Sequence, residues 1–257
     1  KNFPPGMDEL LDQMDARGVT FAPASGRQVW TLIDMFPGRP GMTVIGENGG
    51  IVMRDGVEVS SHPVDIPTVR EVIRLVREAA AGPDGIDGGL VMCGKQFAYV
   101  ERTDDRFVDG VMPYYHRTKR VDDQIAIIDA IEAGQIDDAI VKLAVYVIGP
   151  VEALAEATLA RFADTHQYAI SGANWADLQI RGVDKGSAVR DLQRFLGVDR
   201  SQTAVFGDAG NDLSMMSEGD LSFAMANASR DVVEAARFVA PSNNEAGVAQ
   251  VLRALLA

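Results

Sequence analysis

The spacing of apolar positions divides the chain into helical and extended segments that alternate for most of its length. Met7, Leu10, Leu11 and Met14 recur at helical spacing and predict a helix over 7–17, led in by Pro4 and Pro5 and stopped at Gly18. The short apolar run 19–23 reads as a strand that breaks at Ser25-Gly26-Arg27, after which 28–36 resumes helical periodicity. A strand over 42–45 leads into Gly46-Glu47-Asn48-Gly49-Gly50, and 51–53 with 57–59 form a hairpin around Arg54-Asp55-Gly56. His62-Pro63 and Ile66-Pro67 mark a linker, beyond which the pattern changes.

The middle third predicts helices over 69–80, 121–133 and 150–164, and strands over 88–92, 97–101, 140–147, 168–171 and 176–181. It reads as an α+β insertion of about 115 residues, an ordinary domain size. After Gly182 the strict alternation returns, with helices at 185–196, 213–217, 229–236 and 248–256 and strands at 203–206, 221–224 and 238–240. Such alternation predicts an α/β fold whose core is a doubly wound, Rossmann-like parallel sheet. Residues 1–63 and 182–257 are therefore expected to form one core domain, interrupted by an inserted α+β domain over 64–181.

Composition narrows the partners. A chain of 257 residues that is 47% hydrophobic can bury more than one core, and its net charge of −13 argues against nucleic-acid or anionic-membrane surfaces. An anionic substrate would then need positive charge supplied locally. The single cysteine, Cys93, excludes an internal disulfide and fits a reducing compartment. No apolar run approaches a membrane span, and the first residues lack the apolar region of a signal peptide, so the chain reads as soluble and cytoplasmic. His62, His116 and His166 are far apart and form no metal-ligand spacing. Oligomeric state leaves no mark in the pattern.

Three short motifs lie where the predicted strands end or helices begin, the edge at which open parallel sheets bind ligands. Ser25-Gly26-Arg27 offers a hydroxyl and backbone N–H groups that suit a phosphate, or equally a simple Ser N-cap. Asp184-Lys185-Gly186 puts a lysine against a helix N-terminus, where the dipole opposes it. A nearby anion would favour that placement; a solvated surface lysine is the alternative. Gly207-Asp208-Ala209-Gly210-Asn211-Asp212 gathers two carboxylates and an amide after the run 203–206, which suits a hard cation such as Mg²⁺, or a turn in which Asp208 or Asn211 caps the next helix. Met215 and Met216 follow as expected core residues, and Tyr114-Tyr115-His116-Arg117 as an exposed loop.

The order and context of these motifs resemble the haloacid dehalogenase superfamily of phosphohydrolases. The phrases Gly46-Glu47-Asn48-Gly49, Ala224-Met225-Ala226-Asn227-Ala228 and Ser242-Asn243-Asn244-Glu245-Ala246-Gly247-Val248 look like its Cof-like subfamily, and the inserted domain resembles that subfamily's large α/β cap. The resemblance implies a Mg²⁺-dependent phosphatase acting on a small phosphorylated metabolite, expected to be a sugar phosphate, through an aspartyl-phosphate intermediate. It implies that Ser25 and Gly26 bind a phosphoryl oxygen, that Lys185 neutralises the phosphate, and that Asp208 ligates Mg²⁺. Asp212 would orient that ligand set, either as a second Mg²⁺ ligand or from behind one, Asn211 would donate to the phosphate, and Asn48 would position the leaving group.

One departure bears on activity. The family pattern opens with Asp-x-Asp-Gly-Thr, which carries the nucleophile and the general acid/base, and no such segment stands in this sequence. Asp8, Asp12 and Asp15 fall in the first predicted helix and do not replace it. The nucleophile is expected upstream of Lys1, and the chain as written is expected to be inactive. The competing expectations are a phosphosugar mutase of the same superfamily and a catalytically silent phosphometabolite-binding protein.

Overall fold

In the computed structural model, which describes residues 3–39, 41–82 and 85–257, the chain opens with α1 (Met7–Ala16), α2 (Val29–Asp34), β1 (Thr43–Gly46), β2 (Ile51–Arg54) and β3 (Val57–Ser61). It continues with α3 (Ile66–Ala81), β4 (Gly88–Gly94), β5 (Ala98–Val100), α4 (Asp105–Val111), β6 (Thr118–Arg120), α5 (Gln124–Glu132), β7 (Ile140–Val147), α6 (Glu152–Thr158), β8 (His166–Gly172) and β9 (Trp175–Ile180). The last part is α7 (Lys185–Leu196), β10 (Ala204–Gly207), β11 (Leu221–Met225), α8 (Arg230–Ala235), β12 (Phe238–Ala240) and α9 (Gly247–Leu255). The class is α/β, and the residues fall into two units: Lys1–Ala24, Arg39–Ser60 and Asp184–Ala257 in one, Ser25–Gly38 and Ser61–Val183 in the other.

The first unit holds the parallel sheet expected of the outer halves, in the order β10-β11-β12. Phe206 stacks on Phe223 at 4.9 Å between ring centroids, and Phe223 meets Phe238 at 5.2 Å, so one sheet face carries an aromatic ladder across three strands. On the other side Val205 and Ala224 pack with Ala188, Val189 and Leu192 of α7 and with Met215 and Met216, whose core placement matches the sequence expectation. The hairpin β1-β2-β3 forms as predicted from Arg54-Asp55-Gly56, because Asp55 (φ 53°) and Gly56 (φ 74°) both adopt the left-handed conformation of a tight two-residue turn. Residues 19–23 do not form the predicted strand. Among the described residues their segment makes one parallel bridge, Ala24 to Ile45, and one flanking bond from Ile45 N to Pro23 O, too little pairing for a ladder.

The second unit is a six-stranded sheet in the order β6-β5-β4-β7-β9-β8, antiparallel except for β5 with β6. Alternation sends Leu143 and Val145 to one face, where they pack with α3, α5 and α6 through Val69, Val72, Ile73, Ile128 and Leu154. Val91, Cys93 and Ala144 point to the other face and are covered by Phe107 and Val111 of α4 and by Tyr115. Tyr115 is therefore core, a correction to the exposed loop expected there, while Tyr114 is exposed. Residues 25–38 also differ from expectation, because they pack with this unit. Trp30 Nε1 donates to Lys95 O at 2.8 Å, and the Gln28 side chain pairs with the Arg117 backbone, donating to its O at 2.9 Å and accepting from its N at 2.8 Å. Among the described residues no helix is long and apolar enough to cross a membrane.

Candidate active site

The carboxyl end of β10, the start of α7 and the bend after β1 bring five of the seven expected site residues together within the first unit. Helix α7 begins where sequence places it because Asp184 caps it: its Oδ1 accepts from Ser187 N at 2.8 Å, and Ser187 Oγ accepts from Asp184 N at 3.0 Å. That cap fixes Lys185 as the first helical residue, with 5% of its surface exposed. Its Nζ donates to Asp212 Oδ1 at 2.6 Å. The solvated-surface alternative for Lys185 is thereby removed.

Asp212 commits its second oxygen to the turn. Oδ2 accepts from the backbone N of Asp208 at 3.0 Å and of Ala209 at 3.2 Å. Neither Asp208 nor Asn211 acts as the helix cap; Asp212 satisfies the turn's free N–H groups. The segment expected as a helix over 213–217 begins earlier, as a 3-10 helix over Gly210–Ser217. It is docked on α7 by the bond from Gly186 N to Ser214 Oγ at 3.0 Å.

Asn211 Nδ2 donates to Asn48 Oδ1 at 3.1 Å, which links the acidic turn to the left-handed bend at Glu47 (φ 50°) and Asn48 (φ 52°). Asp208 accepts at Oδ2 from Asn243 Nδ2 at 2.7 Å, and Asn243 N donates to Asn227 Oδ1 at 2.8 Å. Oδ1 of Asp208 has no side-chain donor among the described residues. Sequence reasoning missed Asn243 as a site residue. Its signal in the sequence is the phrase 242–248, whose resemblance assigns Asn243 no role.

Ser25 and Gly26 belong to the second unit. Ser25 does not cap a helix: α2 starts at Val29 after Gln28, and Ser25 Oγ instead accepts from Arg27 N at 3.2 Å. Gly26 O accepts from Lys142 Nζ at 2.7 Å. Lys142 is a further missed residue, although a lysine inside the apolar run 140–147 was a visible irregularity.

The donor set admits Mg²⁺ on chemical grounds. Among the described residues no group of three or more His, Cys, Asp or Glu side chains is placed to hold a metal. Magnesium characteristically takes one or two carboxylates with water and substrate oxygens. Asp208, whose Oδ1 meets no side-chain donor among the described residues, fits that role; Asp212, with both oxygens engaged, fits a supporting one.

Comparison with known proteins shows the family. Residues 1–252 match the family model of haloacid dehalogenase-like hydrolases. The chain is 32% identical over 251 residues to the 5-amino-6-(5-phospho-D-ribitylamino)uracil phosphatase YbjI of Escherichia coli (strain K12), covering 95% of this chain and 86% of that protein. Among solved structures, a haloacid dehalogenase-like hydrolase from B. subtilis superposes with a TM-score of 0.80 at 18% identity, over 98% of this chain and 93% of that one. The subclass IIB sugar phosphatase BT4131 superposes with a TM-score of 0.70 at 18% identity, over 98% and 91%. The chain belongs to the haloacid dehalogenase-like hydrolases. Within that family it is a phosphatase, a phosphoric monoester hydrolase.

Proposed function

We propose that the protein hydrolyses a small phosphorylated sugar or polyol in the cytoplasm with Mg²⁺ as cofactor. The observation that carries this reading is the buried Lys185–Asp212 pair set beside Asp208, Asn211 and Asn48 at one strand end. Phosphoryl transfer is catalysed chiefly by positioning and charge neutralisation, and this cluster supplies both. Lys185 compensates phosphate charge in an otherwise acidic chain, and Asp212 holds its ammonium in place. Asn211 donates to a phosphoryl oxygen, Asn48 positions the leaving group, and Ser25 with the Gly26 backbone binds a further phosphoryl oxygen. Asp208, oriented by Asn243, would hold the cation. When bound, Mg²⁺ supplies Lewis-acid neutralisation of phosphoryl charge. Residues 64–181 act as the cap that selects the leaving group.

The ribityl phosphate in the name of the Escherichia coli relative makes 5-amino-6-(5-phospho-D-ribitylamino)uracil the first substrate to test, beside a panel of sugar phosphates. The full-length protein is expected to release inorganic phosphate from at least one of them with Mg²⁺ and not with chelator. Asp208→Asn is expected to lower kcat/KM by about 10²- to 10³-fold, as for loss of one charge-stabilising group. Equal rates in Mg²⁺ and chelator, or a fully active Asp208→Asn protein, would defeat the metal assignment.

A further inference from the structure

Lys142 has no place in the mechanism above, yet its position is unusual. It lies in β7, one of the two central strands, with 2% of its surface exposed, on the face that Cys93 and Ala144 share. A buried ammonium is costly to desolvate and is retained only where its partners repay it. Lys142 Nζ donates to Gly26 O at 2.7 Å across 116 residues of sequence, and lies 5.6 Å from the centre of the Tyr115 ring.

The turn held by that bond is Ser25-Gly26-Arg27. Its other side is clamped by Gln28, fully buried, whose side chain makes the two bonds to the Arg117 backbone; Thr31 Oγ1 adds a bond to Tyr114 O at 3.1 Å. Α single hydroxyl in an irregular segment has many rotamers and backbone states open to it. Lys142, reaching in from β7, and Gln28, which ties the adjoining segment to the Arg117 backbone, remove most of that freedom, which is what a hydroxyl aimed at a phosphoryl oxygen requires.

We infer that Lys142 is a positioning residue for phosphate binding: it fixes the Gly26 carbonyl and so sets the Ser25 hydroxyl and the backbone N–H groups of the turn. The inference rests on the proposed role of Ser25. Its test is a double-mutant cycle in the full-length protein, with inorganic phosphate affinity by calorimetry and kcat/KM on the best phosphate ester as readouts. Lys142→Met is expected to weaken phosphate binding about tenfold and to lower kcat/KM by up to about 100-fold, the loss typical of a small misplacement. In the Lys142→Met/Ser25→Ala protein the losses should not add, since the lysine acts through the serine. A merely structural lysine would lower the melting temperature yet give additive losses, and additivity would overturn the inference. If Lys142→Met does not fold, Gln28→Leu removes the opposite clamp and carries the same cycle, with non-additivity again expected. Ser25→Ala with unchanged phosphate affinity and rate would instead remove the Ser25 assignment, and this inference with it.

Discussion

Lys185→Met is expected to lower kcat/KM by about 10³-fold or more, the upper range for removing one preorganised group that stabilises transition-state charge. The same change should destabilise the fold, because Lys185 and Asp212 are paired at 2.6 Å with side chains only 6% and 9% exposed. Removing one partner of a buried ion pair leaves an uncompensated charge and costs about 3–5 kcal/mol. The two effects separate in the double variant. Lys185→Met/Asp212→Asn removes the stranded carboxylate charge and should recover at least about 2 kcal/mol of the lost stability, with no recovery of activity. Urea unfolding and phosphate release on the same preparations give both numbers. Activity within threefold of the parent in Lys185→Met would show that the lysine serves the fold alone.

That separation bears on how the site could be read from sequence. Helix α7 was legible to the residue, 185–196, because both its limits are local: Asp184 caps the start and Gly197 adopts φ 68° at the end. The order of Asn48, Lys185, Asp208, Asn211 and Asp212 was legible too, since each sits on a strand end or helix start that periodicity marks. Division of labour between the two aspartates was not. Asp212 reads in sequence as a possible metal ligand, and only the folded turn shows that its oxygens go to Lys185 and to two backbone N–H groups. Asn243 is 35 residues from Asp208, so local pattern carries no trace of their bond.

Elsewhere tertiary contacts overrode local signal. Helix α4 buries only Phe107 and Val111, too few positions to show a period, and β6 is the polar triplet Thr118–Arg120, made a strand by pairing with β5 alone. The run 19–23 has strand composition and forms no strand, since composition is only a propensity and the ladder decides. Residues 25–38 join the second unit through bonds that span 65 to 116 residues, which no window of sequence contains.

The second large effect is expected at a glycine that touches no substrate. Gly49 has φ 98°, outside the range an L side chain adopts at ease, and it packs against the cap of α7. A Cβ there would overlap the Asp184 carbonyl oxygen, stand 2.6 Å from its carbon and 3.2 Å from Lys185 N. These are backbone atoms, so no rotamer change relieves the overlap. The bend can yield only by withdrawing Asn48 from Asn211, or the helix start by shifting Lys185 from Asp212. Gly49→Ala should therefore destabilise the protein by about 3 kcal/mol or more, backbone strain and overpacking combined. Among molecules still folded at low temperature, kcat/KM should fall by about 10²-fold, since the groups that move are those that neutralise and orient phosphate. Gly56→Ala is the control: it also has positive φ (74°), but a Cβ there meets nothing within 4 Å. It should cost about 1–2 kcal/mol and leave the rate unchanged. If the two alanine variants proved equally active, the approach of the Asn48 bend to Lys185 would be incidental to catalysis, and Asn48 would lose its place in the site.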